Sequence, residues 1–274
     1  MSLEFFWFFL TLCAAGGVAG ITSGIFGNGG GFVVVPALLA VFPAFVEVDT
    51  EIMRVAIGTS LATIVVSSAR SVQAHHRRGA VDFQILRNWM VWLVIGVGLG
   101  LYIASISNSF WLISVFAGGV LIYSIYFLFP NLSEKIGRNF SMPTGVWRAG
   151  LASFLGGFSA LLGIGGGTIT VITMVMCKRT VHQAVATAAG VGFIIGLPGA
   201  IGFLVMGLGT ENLPMGSLGY INVPALLAIC AISVITAPIG ASLAHRLNEF
   251  YLKRLFGVYL VIVSVLMFYK AMQA

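Results

Sequence analysis

Apolar residues fill ten long stretches of this chain, and short polar or glycine-rich segments separate them. The stretches lie near 5–27, 31–46, 52–73, 88–106, 109–129, 146–163, 167–177, 181–207, 220–245 and 250–271. A helix needs about 20 residues to cross the hydrocarbon core of a membrane, and most of the stretches approach that length. The stretch 167–177 would extend only about 16 Å as a helix, so it cannot cross alone.

The composition agrees with this pattern. Hydrophobic residues make up 59% of the chain, charged residues 8%, and the mean hydropathy is +1.04. Such a chain has too little polar surface to cover a soluble domain. We therefore predict an all-α polytopic membrane protein. The first stretch has Glu4 where a leader peptide would have basic residues, so we interpret it as a retained helix.

The basic residues predict the orientation, because Lys and Arg stay on the cytoplasmic side. Twelve of the 14 lie in or beside the loops 74–87, 130–148, 177–181 and 245–254. The opposite face keeps Arg54 and Lys270, with five of the eight acids. This predicts a multi-pass protein of a bacterial or archaeal cytoplasmic membrane with both termini outside the cytoplasm. The net charge of +6 then reflects orientation and contact with lipids, and nucleic acid is excluded as a partner.

A glycine-rich break occurs twice, each time inside apolar sequence. The first is GIFGNGGGFVVVP at 24–36, and the second is ALLGIGGGTITVI at 160–172. Residues 54–60 (RVAIGTS) likewise match 182–188 (HQAVATA), so the third segment corresponds to the eighth. The loop after the third segment is basic and the loop after the eighth is not. Equivalent loops therefore face opposite sides of the membrane.

This duplication predicts two inverted repeats of five segments. The first repeat occupies 1–130, a cytoplasmic linker 131–145, and the second repeat 146–274. Consecutive glycines weaken a helix and free backbone amides that lipid cannot satisfy, so the breaks must face protein or a wet cavity. We expect short re-entrant or broken helices at both breaks.

The short segments after the breaks begin with unpaired N–H groups and the positive end of a helix dipole, which suits an anion. Glycines also serve as packing surfaces in membranes, and Gly16, Gly20 and Gly24 are predicted to do so. The predicted substrate-binding residues are Asn28, Gly29, Gly30, Gly31, Thr59, Ser60, Gly165, Gly166, Gly167, Thr168 and Thr187.

Several of these residues have a second interpretation. Thr59 and Thr187 occupy equivalent repeat positions, but a threonine in a membrane helix also bonds to the carbonyl four residues earlier. Arg54 would attract an anion or gate its path, or would equally pair with Glu51 or Asp49. His182 occupies the equivalent place in the second half and is a weaker candidate for the same role.

Enzymatic chemistry is not predicted. No nucleophile, base and acid occur together in a membrane pocket, and every Asp and Glu lies in a loop or at a segment end. The three cysteines lack metal-ligand spacing, so we expect no metal and no cofactor.

The motif residues resemble the TauE/SafE family of sulfite and sulfonate exporters. The resemblance lies in Gly20-Ile-Thr-Ser-Gly24-Ile-Phe-Gly27-Asn-Gly29-Gly-Gly31-Phe-Val-Val-Val-Pro36, in Gly58-Thr59-Ser60-Leu61 and in Gly163-Ile-Gly165-Gly-Gly167, and it spans essentially the whole chain. The chain departs from the family pattern at two positions. Asn28 replaces an apolar residue, and the second half has Ile172 where the first half has Pro36. The two halves of the site are therefore expected to contribute unequally.

The resemblance implies export of a small sulfur-containing anion such as sulfite or an organosulfonate. Together with the inverted repeats it predicts a secondary transporter that works by alternating access, with the anion held at the membrane midplane by the half-helix N-termini. Its partners would be this anion and membrane lipids. An uptake carrier or a channel for a related anion stays open as an alternative, as do the coupling ion and the oligomeric state.

Overall fold

The computed structural model describes residues 3–27, 29–44, 51–129, 140–243 and 249–272. These residues form ten α-helices: α1 Leu3–Phe26, α2 Gly31–Val41, α3 Ile52–His76, α4 Phe83–Ile106, α5 Ser109–Leu128, α6 Gly145–Leu162, α7 Gly167–Met176, α8 Val181–Met206, α9 Val223–Leu243 and α10 Glu249–Ala271. A 3-10 turn, Phe42–Ala44, follows α2. Two short antiparallel strands, β1 Ser217–Leu218 and β2 Ile221–Asn222, precede α9. The predicted helical fold class is confirmed.

Eight of these helices are long and apolar enough to cross a membrane. The exceptions are α2, with 11 residues, and α7, with 10, and each extends only about 15 Å. The prediction that the segment after the second break is too short to cross is confirmed. The segment after the first break was predicted to reach residue 46, but its α-helix ends at Val41, so both breaks are followed by a half-length helix.

Two helices begin three or more residues away from the start that hydropathy predicts, because polar caps fix their starts. Helix α4 begins five residues before the predicted 88, since Asp82 Oδ1 accepts a hydrogen bond from the Ile85 amide at 3.1 Å. Helix α9 begins three residues after the predicted 220, since Asn222 Oδ1 accepts from the Ala225 amide at 3.0 Å. The strands β1 and β2 fill the gap before it.

The helices pack in the same pattern in both halves. Helix α1 packs along α9, and its counterpart α6 packs along α4. Helix α3 contacts α9, as α8 contacts α4, while α3 packs on α8 and α5 on α10. Exchanging the first five helices with the last five leaves this set of contacts unchanged, as expected for a duplicated chain. The inversion of the two halves across the membrane stays a prediction, and so does their division at 131–145.

Glycines allow the closest of these helix contacts. A Cβ on Gly16, Gly20 or Gly24 of α1 would lie 2.5, 2.8 and 2.1 Å, respectively, from a backbone carbonyl oxygen of α9. The predicted packing role of these glycines is confirmed. The equivalent pair of helices, α6 and α4, also approaches closely at a glycine, since a Cβ on Gly96 of α4 would lie 2.0 Å from a carbonyl oxygen of α6.

Cysteine labelling tests the predicted orientation. Asn212 and Gly79 both lie in exposed turns with a left-handed backbone, with φ of 58° and 66°, so a cysteine strains both positions alike. In a background with the three native cysteines replaced by alanine, Asn212→Cys should react with an impermeant maleimide on intact cells. Gly79→Cys should react only after the cells are opened, because its loop is basic. Labelling of Gly79→Cys alone on intact cells would reverse the orientation.

Candidate functional site

Two glycine-rich breaks separate α1 from α2 and α6 from α7. In the first, Gly27, Gly29 and Gly30 have φ of 66°, 73° and 80°. In the second, Gly163 and Gly166 have φ of 64° and 65°. Residues with a side chain rarely adopt this left-handed backbone. Glycine is therefore needed at these positions to lead the chain from a long helix into a short one.

The two breaks touch each other. A Cβ on Gly31 would lie 2.3 Å from the Gly163 carbonyl oxygen and 2.9 Å from Cα of Ile164. A Cβ on Gly163 would lie 3.0 Å from Cγ2 of Val35 and 3.1 Å from Cα of Ile57. The N-terminus of α2 thus packs directly on the second break, and only glycine permits this approach of backbone to backbone.

The short helices α2 and α7 both begin after a glycine cap, Gly30 and Gly166, respectively. Glycine has no side chain that could accept hydrogen bonds from the first-turn amides. Helices α4 and α5 differ, since the side chains of Asp82 and Asn108 accept such a bond at their starts. The N-termini of α2 and α7 therefore present their amides and positive dipole ends to whatever lies beside the breaks.

The Gly58-Thr59-Ser60 motif of α3 holds two neighbouring parts of the structure. A Cβ on Gly58 would lie 2.3 Å from a carbonyl oxygen in the turn between β1 and β2. Thr59 Oγ1 accepts a hydrogen bond from the backbone amide of Asn222 at 2.9 Å. Ser60 Oγ donates to the carbonyl oxygen of Gly163 at 2.7 Å. The motif thus fixes the start of α9 and one carbonyl of the second break.

Thr187 has the same arrangement at the equivalent place on α8. Its Oγ1 accepts a hydrogen bond from the backbone amide of Asp82, the cap of α4, at 2.9 Å. Thr59 and Thr187 thus bond to the cap residues of different helices, Asn222 and Asp82, and both threonines are fully buried. Among the described bonds, neither hydroxyl pairs with the carbonyl four residues earlier in its own helix.

Arg54 joins the ends of α3 and α4. Its guanidinium forms an ion pair with Glu51 at 2.5 Å and donates to the carbonyl oxygens of Ala104 and Ser107 at 3.3 and 2.5 Å. It also lies 5.9 Å from the ring centroid of Tyr220. Burial raises the pKa of Tyr220, and a hydrogen bond with Glu51 raises it further. The alternative that Arg54 pairs with Glu51 is confirmed.

The start of α8, which corresponds to the start of α3, has a more solvent-exposed ion pair than Arg54 and Glu51 form. Arg179 and Asp82 form an ion pair at 3.3 Å, but Arg179 is 42% exposed, so solvent weakens the attraction. His182 is exposed in the first turn of α8. Two residues named from the sequence, Asn28 and Asp49, lie outside the described residues.

Hydroxyl groups near the two breaks differ in their partners. At the first break, Ser67 Oγ donates to the Gly29 carbonyl oxygen at 3.2 Å and Thr63 Oγ1 to the Ser60 carbonyl oxygen at 2.7 Å. Gly29, Thr63 and Ser67 also line a narrow crevice. At the second break, the hydroxyls of Ser159 and Thr168 have no hydrogen-bond partner within the described structure.

Sequence reasoning missed several of these residues. Asp82 and Asn222 directly precede apolar runs, which is a recognisable helix-start signal, so they could have been found. Ser159 and Ser68 lie inside apolar helices, and nothing in the sequence separates them from serines bonded within their own helix. No group of three His, Cys, Asp or Glu residues that could hold a metal occurs in the described part of the chain.

The helices that can cross a membrane and the paired half-helices define a polytopic membrane transporter. The chain belongs to the family described as "Sulfite exporter TauE/SafE", whose model matches residues 12–267. A probable membrane transporter protein of Haemophilus influenzae is 32% identical over 96% of this chain and 99% of its own length. One of Methanocaldococcus jannaschii is 25% identical over 97% of this chain and 98% of its own length. No solved structure matches the chain.

Proposed function

We propose that the protein exports a small sulfur-containing anion, sulfite or an organosulfonate, across the cytoplasmic membrane by alternating access. The description of its family supports the substrate class. Relatives that match nearly the whole chain are named as probable membrane transporter proteins, which supports transport over catalysis.

The contact between the two breaks carries this proposal. Helices α2 and α7 have glycine caps, and Gly31 of α2 packs on Gly163 of the second break. The N-terminus of α2 lies against the second break, which leads into α7, and helix N-termini without side-chain caps offer backbone donors to an anion. The residues proposed to form the substrate site are Asn28, Gly29, Gly30, Gly31, Thr59, Ser60, Gly165, Gly166, Gly167, Thr168 and Thr187.

The hydroxyls of Ser60, Thr59 and Thr187 have different hydrogen-bond partners, so we assign them different roles. Ser60 uses its proton on the Gly163 carbonyl, so it holds the second break in place. Thr59 and Thr187 accept bonds from backbone amides through oxygen, which leaves their own protons to donate to an anion. A neutral hydroxyl donates without the desolvation cost of a buried lysine or arginine.

The loops held by Thr59 and Thr187 suit two alternating gates. Asn222 ends β2 in the segment before α9, on the predicted outer face, and Asp82 lies in a loop of the predicted inner face. Arg54, beside the outer loop, and His182, near the inner one, would attract the anion at the two ends. Opening one side would release one loop while the other stays bound.

Exchange in proteoliposomes tests the proposal. Vesicles loaded with unlabelled sulfite should take up external labelled sulfite against its concentration gradient, because unlabelled sulfite occupies the carrier on the inside and keeps the label from leaving. The uptake should saturate, because the number of binding sites is limited. Vesicles without protein are the control. A flux that neither saturates nor shows counterflow would favour a channel. The loss of all flux with sulfite and with methanesulfonate would contradict the proposed function.

A further inference from the structure

We propose that the second break binds a singly charged oxyanion through three buried hydroxyls, those of Ser159, Thr168 and Ser68. This rests on the proposed function, since it names the charge class of the transported anion. It also adds two ligands, Ser159 and Ser68, to the site.

These three hydroxyls have no hydrogen-bond partner among the described residues. Their residues are almost fully enclosed, with exposed fractions of 0% for Ser159, 3% for Thr168 and 1% for Ser68. A buried hydroxyl without a partner costs free energy, and native structures contain few such groups. Three of them close to one break indicate that a partner from outside the chain satisfies them.

The hydroxyls reach the break from three different helices. Ser159 Oγ of α6 lies 3.0 Å from the position that a Cβ on Gly166 would take, at the cap of α7. Thr168 lies in the first turn of α7 itself. Ser68 of α3 lies close to the carbonyl oxygen of Gly165, because both contact the same point on α8. A Cβ on Gly192 would lie 2.7 Å from Ser68 Oγ and 3.4 Å from the Gly165 carbonyl oxygen. The second break is therefore flanked by hydroxyls where α7 presents its amides.

The described side chains at the first break are arranged differently. Its helix carries Phe32 at the position equivalent to Thr168, and that ring packs on Tyr123 with centroids 4.9 Å apart. Ser67, beside the first break, already donates to the Gly29 carbonyl oxygen. At the first break the described Ser67 and Thr63 hydroxyls already donate to backbone carbonyls, whereas the hydroxyls of the three residues at the second break have no partner within the described structure.

The charge of the anion follows from what surrounds it. The segments that meet at the second break, 55–69, 149–177 and 183–206, contain no Asp, Glu, Lys or Arg. Burying a doubly charged ion without a cation costs far more than burying a singly charged one, since solvation energy rises with the square of the charge. Amides and hydroxyls alone therefore suit hydrogensulfite or an organosulfonate, whose SO₃ group offers three oxygens to the three hydroxyls.

Calorimetry with methanesulfonate, a monoanion, and sulfate, a dianion, tests this. Wild-type protein should bind methanesulfonate at least about tenfold more tightly than sulfate. Ser159→Ala, Ser68→Ala and Thr168→Val should each weaken methanesulfonate binding by about tenfold or more. The same variants should raise the Tm of the anion-free protein, because each removes a buried hydroxyl that has no partner. Thr168→Ser, which keeps the donor, should keep the affinity.

Ser264→Ala is the matched control. Ser264 is equally buried, but it donates to the Ala117 carbonyl oxygen at 2.9 Å, so its loss should lower the Tm and leave the affinity unchanged. Sulfate binding as tight as methanesulfonate, or variants with wild-type affinity, would overturn the inference while sulfite exchange upholds the proposed function. A wild-type protein that neither exchanges nor binds any of these anions would overturn both.

Discussion

Replacing Gly31 by alanine should reduce sulfite exchange by roughly ten- to a hundredfold. The new Cβ would lie 2.3 Å from the Gly163 carbonyl oxygen, so the N-terminus of α2 and the second break would have to move apart. Overpacking of this kind costs about 1–3 kcal/mol, and the donors of the proposed site would separate by the same movement. Counterflow in proteoliposomes measures the effect.

Gly31 is a sharper test than its neighbours, because its φ lies outside the left-handed region. A substitution at Gly30 or Gly166 would add backbone strain at φ of 80° or 65°. Gly98→Ala is the control: a Cβ on this glycine of α4 would meet nothing within 4 Å, so exchange should be unchanged. Wild-type exchange by Gly31→Ala would mean that the contact between the breaks plays no part in transport.

Thr59→Val and Thr187→Val should each weaken sulfite binding by about tenfold or more, the loss expected for one hydrogen bond to an anion. Each should also destabilise the protein by about 1–3 kcal/mol, because the amide of Asn222 or Asp82 loses its acceptor. Valine keeps the shape of threonine without its hydroxyl. Calorimetry gives the affinity, and thermal unfolding in detergent gives the stability.

The matched controls are Thr59→Ser and Thr187→Ser, which keep the hydroxyl and should restore both affinity and stability. The two readouts separate the two tasks assigned to these threonines. Lower stability with unchanged affinity in both valine variants would restrict the threonines to holding the loops before α9 and α4. The anion would then be bound without them.

Hydropathy predicts most of the helix ends, because a residue's preference for lipid or water depends mainly on its own side chain. Helix α5 begins at the predicted 109, and α8 at the predicted 181. The start of α4 differs from the predicted 88 because Gln84 and Arg87 lower the hydropathy of residues 83–87, which lie inside the helix after the cap at Asp82. A local hydrogen bond overrides average hydropathy at such positions.

The proposed site is only partly visible in the sequence. The repeated glycines point to the breaks, since a local run of glycine is itself a structural signal. The partners of Thr59 and Thr187 are 163 and 105 residues away along the chain. Such pairs exist only once the helices have packed.

The sequence by itself determined the class of protein, its helical segments and the duplicated breaks, because composition, hydropathy and glycine runs act locally along the chain. Only the tertiary structure decided that Gly31 packs on Gly163, that Arg54 pairs with Glu51, and that hydroxyls at the second break have no partner among the residues it describes. The physical reason is that a hydroxyl within an apolar helix has the same local sequence whether it bonds to its own backbone, to a neighbouring helix or to a ligand. The packing of the helices makes that choice.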